Sequence, residues 1–518
     1  MRENDPDAHA PEGAQADVVG FLASGAAFGG ERPEQIDTHA ARIFLAGERA
    51  WKLKRAVRYP YLDFSTPENR HAALATELEL NRRTAPDLYL RLWPVTRDAA
   101  GALHLGGNGG GDVVDTVLEM RRFPQSALLS DMAQRGHLDE ALMTRLAEIL
   151  VAFHRAAESC PVGGDAAVRL RRIVEGNLQS MRRFPNILPA AESEALCRDQ
   201  TERLAAFASL LVARAQAGRV RHGHGDLHLA NIALINGEPT PFDCLEFDPE
   251  MARIDVLYDL ALLLMDLWHR GLRMEASLVL NRYLDLSAED EDGVALLPLL
   301  MSIRASIRAH VSAAQSATAG DGKALEAVAY LELAGALMER RAVALLAIGG
   351  LSGTGKSTLA RRLAADVGAA PGARIVRTDV IRKRLAGVAP ETRLPPESYT
   401  RQSSAQVYAA SLDLARDALR DGVSVVIDAV FADSDERRAV QALAAEMSAT
   451  FVGLWLEASV SARIHRVEAR TGDASDADTE IARRQAAPPT DSLGGWHRLL
   501  TDGGADRVAT EAQALLSK

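Results

Sequence analysis

Cysteine is scarce in this sequence of 518 residues: Cys160, Cys197 and Cys244 stand far apart and form no C-x-x-C pair. That excludes a disulfide framework or a thiolate zinc site and fits a reducing compartment. Positive charge is short too, 59 Lys and Arg against 70 Asp and Glu, for a formal net charge of -11. The balance favours solubility and argues against nucleic acid as the main partner. No secretory leader is visible, because residues 1–17 are acidic, polar and proline-bearing, the composition of a disordered tail. The most apolar stretch, Val256 to Trp268, is interrupted by Asp259 and Asp266 and is too short to span a bilayer. No membrane association is expected, and the expected location is cytoplasmic.

What remains is globular: 47% hydrophobic and 25% charged residues, in a chain long enough for two or three domains. His224-Gly-Asp226-Leu-His-Leu-Ala-Asn231, followed by Asp243, has the spacing of a protein-kinase-type catalytic loop. In such a loop the first Asp accepts a hydroxyl proton, while the Asn and the later Asp hold Mg2+ against the nucleotide phosphates. Local sequence explains their convergence. Ile232 to Ile235 reads as a strand, Asn236-Gly237 as a two-residue turn and Glu238 to Asp243 as the returning strand. Counting back from the turn pairs Asn231 with Phe242, so Asp243 falls one residue away; cross-strand neighbours sit roughly 5 Å apart, close enough to share a metal.

A site of this kind needs a lysine on a strand and a helical glutamate to pair it. The strands Ala41 to Leu45 and Arg49 to Lys54 offer Lys52, with Lys54 on the same face as the alternative; the helix Pro67 to Arg83 offers Glu77 or Glu79. No G-x-G-x-x-G loop precedes this hairpin. Gly25 to Gly30 is a weak substitute, and Thr38-His39-Ala40-Ala41 lies closer to where a phosphate-covering turn belongs. Val113 to Met120 reads as a further strand, with Glu119-Met120-Arg121 placed like the segment joining two lobes. Helical periodicity follows over Leu138 to Ala157, Ala166 to Arg183, Glu192 to Ala217 and Arg253 to Trp268. His154 is expected in the core, and Asp259 is expected to accept hydrogen bonds from the catalytic-loop backbone.

On His224, Asp226, Asn231, Asp243, the Asp255-x-x-x-Asp259-Leu-Ala helix and the Lys52 strand, residues 35 to about 310 resemble an aminoglycoside-phosphotransferase-type kinase domain. The resemblance implies phosphoryl transfer from ATP or GTP to a small-molecule hydroxyl, with Asp226 as base. An aminoglycoside is polycationic, whereas Arg171, Arg172, Arg182 and Arg183, with Arg304 and Arg308 as a same-face pair, suit an anionic substrate.

A second centre begins where the apolar run Ala342 to Ile348 enters Gly350-Leu-Ser352-Gly353-Thr354-Gly355-Lys356-Ser357-Thr358 and a helix. This strand-loop-helix context makes it a P-loop: backbone amides curl around phosphate, Lys356 reaches the β and γ phosphates and Ser357 ligates Mg2+. Strands at Arg374 to Arg377, Val423 to Ile427 and Phe451 to Leu456 alternate with helices at Glu397 to Arg420 and Glu436 to Met447, predicting a parallel sheet covered on both faces. Asp379 and Asp428 fall just past strand ends. Asp379 is the expected base, Arg382 one helical turn on the expected anion clamp, and Arg463, Arg466 and Arg470 an expected lid over the phosphates. With the P-loop, Asp379 and Arg382, Val-Val-Ile-Asp428 and Ser475-Asp-Ala-Asp478, this stretch is similar to the P-loop kinases that group with zeta toxins, gluconate kinases, chloramphenicol phosphotransferase and the kinase part of polynucleotide kinase.

The expected fold class is an α+β protein-kinase-like (aminoglycoside phosphotransferase) domain over residues 18–322, a linking helix over 323–341, and an α/β P-loop NTPase domain with a parallel sheet over 342–518. The expected activity is that of a phosphotransferase with two nucleotide sites using ATP or GTP and Mg2+. The alternative is one active small-molecule kinase domain regulated by a P-loop ATP-binding or ATPase sensor.

Overall fold

The computed structural model describes residues 15–516 except 39, 60–61, 108–110, 161–165, 247–248, 470–473, 486 and 488–492. The described chain divides into two compact units. One takes the residues up to Arg145 with Ala152–Cys160 and Val220–Asp259; the other takes Leu146–Val151, Pro161–Arg219 and Leu260 onward. The helical part of the expected first domain thus falls in the same unit as the P-loop sheet, and the division does not follow residue 342.

In the first unit, period-two alternation builds an antiparallel sheet, six-stranded among the described residues. Its order is Glu34–Asp37, Ala41–Ala46, Arg49–Lys54, Asp112–Arg121, Tyr89–Arg97, Leu103–Leu105. Along Arg49–Lys54, Trp51 and Leu53 pack on one face with Val18, Leu22, Phe44 and Val117. Ala50 packs on the other with Leu74, Leu118 and Met120, and Lys52 and Lys54 share its parity. Each fully buried Val, Leu, Phe or Met among these side chains stabilises the unit by about 1.5–3 kcal/mol. The helix Pro67–Asn81, whose first turn is capped by the Thr66 side chain, lies on that second face and brings Glu77 to the lysines. Ordered structure starts before residue 18: Gln15 is buried, donating to the Lys54 carbonyl, and the helix Ala16–Ala23 packs Val18 and Leu22 into the core.

The hairpin has the expected register, Ile235 opposite Glu238 and Ile232 opposite Pro241. Asn236 and Gly237 take φ 54° and 84°, the positive values that a two-residue turn requires. The Phe242 amide donates to the Asn231 carbonyl at 2.9 Å, so the pairing continues to the residue before Asp243. Two expectations are corrected here. Arg253–Asp255 is a strand paired antiparallel with Val220–His222, and the helix starts only at Val256; that ladder closes the base of the catalytic loop. Glu119-Met120-Arg121 remains within the strand Asp112–Arg121, and Glu119 is held there by Arg49, Arg91 and Trp93.

In the second unit the parallel sheet, five-stranded among the described residues, has the order Arg374–Arg377, Val425–Asp428, Ala344–Gly350, Thr450–Glu457, His497–Leu500. Val407, Ala415, Val440 and Leu443 cover one face, and Leu359, Leu363, Val508 and Ala512 the other. Several boundaries differ from expectation. The helix after the acceptor region starts at Arg401, because Thr400 caps it through the Ser403 amide. Asp428 is the last residue of its strand rather than one beyond it. The expected helix 192–217 breaks at Phe207, and the expected linking helix runs Asp321–Ala336 along Leu297–Ala319. Among the described residues one helical stretch, Ala288–Ala317, is long and apolar enough to cross a membrane, whereas Val256–His269 is too short, as expected. The α-helix of the longer stretch, Leu297–Ala319, buries Leu297, Leu300, Met301 and Ile303 in the protein core.

Candidate active sites

In the first unit, Lys52 Nζ lies 2.6 Å from Glu77 Oε1 and 3.1 Å from Asp243 Oδ1. Burial would lower the Lys52 pKa, but the Asp243 and Glu77 charges outweigh it and hold the ammonium well above its ordinary value. Both lysines are used: Lys54 Nζ takes Glu77 Oε2 at 2.6 Å and Glu246 Oε1 at 2.7 Å. Glu77 is therefore clamped through each oxygen by a different lysine, while Glu79 is exposed. Burial pushes the Glu77 carboxyl up and the two lysines more than reverse it. Lys54 carries no expectation beyond that of alternative to Lys52, and Glu246 and Tyr89, whose hydroxyl accepts from the Asp243 amide at 3.3 Å, carry no sequence signal for this network. Period two placed Lys54 on the right face, but only the fold places Glu246.

Asp226 sits half-exposed with Oδ2 3.0 Å from Asn231 Nδ2 and 3.4 Å from His228 Nε2. The Asn231 amide nitrogen donates to the Asp226 carbonyl and to Asp226 Oδ2, both at 3.0 Å. The side-chain oxygens of Asn231 and Asp243 are donors of the kind Mg2+ accepts beside phosphate oxygens, so these two residues could hold one. Among the described residues no cluster of three His, Cys, Asp or Glu forms a self-sufficient metal cage.

Asp259 does what its position predicted: Oδ2 accepts from the His224 amide at 2.6 Å and Oδ1 from the Gly225 amide at 3.0 Å. A Cβ on Gly223 would fall 2.6 Å from Oδ2, so only glycine lets the carboxylate approach. His154, in the core as expected, lies 3.3 Å from Asp259. Burial raises the Asp259 pKa, but His154, the His224 charge and the His224 amide bring it down to about 2. Folding free energy from this group is thus fully present above the ordinary carboxyl value of 3.8 and is lost as pH falls from there through about 2. Asp259→Asn at neutral pH is expected to cost the loop about 1.5–3 kcal/mol. Hydrogen exchange at the 223–226 amides measures it, and unchanged protection would refute the strut.

In the second unit the P-loop has the expected form. Ser357 Oγ donates to Asp428 Oδ2 at 2.6 Å, Lys356 Nζ lies 3.2 Å from the Leu351 carbonyl, and Thr354 Oγ1 is 2.8 Å from the same oxygen. Thr358 points to solvent. The Ser357–Asp428 pair supplies hydroxyl and carboxylate oxygens of the type a P-loop Mg2+ uses. Asp428, expected at a strand end and one of the residues that carry the P-loop-kinase resemblance, is brought by its pairing with Ser357 to where it could help hold a metal. Arg377 Nε stands 3.6 Å from Asp428 Oδ2. Asp379 is on the first turn of the helix Thr378–Leu385 and hydrogen-bonds Ser475. Burial raises its pKa, and the Asp428 charge adds to this, against Arg377, Ser475 and Lys356.

The arginines divide. Arg382 lies over the Tyr399 ring at 4.7 Å and donates to the Ser398 carbonyl at 2.8 Å. Arg463 does not close over the phosphates: its buried guanidinium donates to the Ser352 carbonyl at 2.9 Å and the Ala482 carbonyl at 2.6 Å, bracing the P-loop from behind. Arg466 does the same through the Gly353 carbonyl and Thr501. Arg470 lies outside the described residues. Arg304 is buried on Leu297–Ala319 and Arg308 lies 5.7 Å over the Tyr330 ring, both engaged in helix packing rather than placed as a substrate clamp. Arg171, Arg172, Arg182 and Arg183 are exposed, and Arg182 pairs with Glu194.

Gly353 has φ +84°, and a Cβ there would meet the Arg463 carbonyl at 2.5 Å. Gly353→Ala is expected to weaken nucleotide binding at this loop about tenfold or more, from strain of about 1–3 kcal/mol. Titration with a fluorescent ATP analogue reads it; unchanged affinity would refute the close contact.

Residues 64–297 match the Phosphotransferase enzyme family, and residues 345–488 match an AAA domain. Over 484 residues the chain is 32% identical to the uncharacterized protein Rv2004c of Mycobacterium tuberculosis, covering 92% of this chain and 94% of that protein. The uncharacterized protein Mb2027c of Mycobacterium bovis matches to the same extent. Among solved structures, a choline/ethanolamine kinase family protein from Mesorhizobium loti aligns over 63% of this chain and 95% of its own, at 15% identity and a TM-score of 0.40. A gluconokinase from Sinorhizobium meliloti aligns over 34% and 94%, at 20% identity and a TM-score of 0.26. The protein is a kinase, an ATP-dependent phosphotransferase built from two kinase-type domains. It belongs to one family with these mycobacterial proteins, and in this chain a phosphotransferase-enzyme-family domain is joined to a P-loop kinase domain.

Proposed function

We propose that the chain has two separate phosphotransfer sites, each moving the terminal phosphoryl group of ATP to a hydroxyl of a small molecule. The observation that carries this reading is Asp379. A nucleotide sensor needs the P-loop, Ser357 and Asp428, but has no use for a further carboxylate poised beside them and hydrogen-bonded to Ser475.

In the first site Asp226 accepts the acceptor's proton as the acceptor oxygen attacks the terminal phosphorus, whose bond to the bridging oxygen breaks to release ADP, and Asn231 and His228 hold the carboxylate in place. Lys52, oriented by Glu77, holds the nucleotide phosphates. In the second site Lys356 and the loop amides hold the phosphates, Asp379 takes the acceptor's proton, and Arg382 receives an anionic group on the acceptor. Asn231 and Asp243 in one site, and Ser357 and Asp428 in the other, would hold a Mg2+ ion, which would supply charge neutralisation at the phosphate oxygens.

The test is ATP consumption by the full chain against sugars, aminoglycosides, nucleosides and phosphorylated acids, with Asp226→Asn and Lys356→Ala in parallel. Acceptor-stimulated turnover lost in one variant assigns that product to one site. Slow basal hydrolysis removed only by Lys356→Ala, with no acceptor effect, favours the sensor reading instead.

A further inference from the structure

The strand Arg374–Arg377 is an edge of the parallel sheet, and the element that completes it comes from upstream of the P-loop region, within the same compact unit. On the helix Arg273–Leu286, the Asn281 carboxamide acts as a one-residue strand: its Oδ1 accepts from the Ile375 amide at 2.7 Å and its Nδ2 donates to the Ala373 carbonyl at 3.1 Å. Arg374, fully buried, donates to Glu291 at 2.8 and 3.0 Å, lies 2.9 Å from Asp285 Oδ1 and reaches Asn281 Oδ1 at 3.2 Å. Glu291 also accepts from both terminal nitrogens of Arg384 at 3.2 Å, and Arg384 donates to the Leu284 carbonyl at 2.9 Å.

Arg374 opens the strand that ends at Arg377, and Arg384 sits on the helix Thr378–Leu385 that begins immediately after it. One carboxylate therefore grips the strand and the helix on either side of the turn that presents Asp379. We propose that Glu291, with Asn281, is a positioning residue of the P-loop site: the helical layer of the phosphotransferase-type part sets where Asp379 stands, so the P-loop half is not self-sufficient in catalysis. The inference rests on reading Asp379 as the acceptor base. The P-loop itself, Gly350 to Ser357, is anchored elsewhere, through Arg463, Arg466 and Gln485. Loss of the clamp should consequently leave nucleotide affinity intact and misplace only the base, and a displacement of about 1 Å costs up to about 100-fold in rate.

The experiment uses the full chain with Glu291→Gln, which keeps the side-chain shape, and Arg384→Met, which frees the helix while sparing buried Arg374. Lys356-dependent turnover is measured together with hydrogen exchange over residues 374–385. The expected result is a kcat lowered about 10- to 100-fold with KM for ATP unchanged, faster exchange confined to that segment, and Asp226-dependent turnover unaffected. Unchanged kcat, or kcat and ATP affinity falling together with exchange accelerated throughout the unit, overturns the assignment. If Asp379→Asn leaves Lys356-dependent turnover intact, the base reading has failed; exchange alone then judges the clamp, and unchanged exchange over 374–385 overturns it as well.

Discussion

Asp226→Asn is expected to slow acceptor phosphorylation at the first site by about 10^2- to 10^4-fold, the usual contribution of a general base. The effect should fall on kcat. The amide has nearly the shape of the carboxylate and can still accept from Asn231 Nδ2, now at 3.0 Å, so the loop geometry survives. The residues proposed to hold the nucleotide, Lys52 and Asp243, pair with each other, and Glu77 rather than Asp226 is the further partner of Lys52. Initial rates at saturating ATP with the acceptor found in the panel measure the change. A fall of less than tenfold, or a fall carried by KM for ATP, would show that Asp226 is not the proton acceptor.

The second large effect is expected from Asp379→Asn: again about 10^2- to 10^4-fold in Lys356-dependent transfer, with ATP affinity little changed. Burial, with the Asp428 charge, raises the Asp379 pKa against the pull of Arg377. A base must be deprotonated to work, so activity at this site falls as pH drops through that raised value. The acid limb of its pH profile is expected above the ordinary carboxylate range of about 3.9, and the Asn variant should lose that limb. Transfer surviving in Asp379→Asn with its acid limb intact would remove Asp379 from the chemistry.

Much of both sites could be read from the chain because their residues are local to strong patterns. The hairpin turn Asn236-Gly237 set the register that puts Asp243 beside Asn231, and period-two alternation put Lys52 and Lys54 on the face that meets Glu77. Asp259 was predictable as a carboxylate out of place on an apolar helix. What could not be read depends on contacts distant in sequence. Glu246 meets Lys54 across 192 residues, and Arg463 meets Ser352 across 111. An arginine stripe of spacing three and four looks the same whether it faces a nucleotide or the back of the loop; burial of Arg463 decides it. The strand Arg253–Asp255 was hidden because three residues carry too little periodicity to stand apart from the helix they precede. Asn281 gave no signal at all, since a helical asparagine reveals nothing of the sheet edge it completes.

The central claim is two nucleotide sites in one chain, and the most direct measurement is the number of ATP molecules bound per chain. Equilibrium dialysis of full-length protein with a non-hydrolysable ATP analogue and Mg2+ is predicted to give two per chain. Lys52→Met and Lys356→Ala should each give one, and the double variant none. A single nucleotide per chain, removed by only one of the two substitutions, would contradict the account.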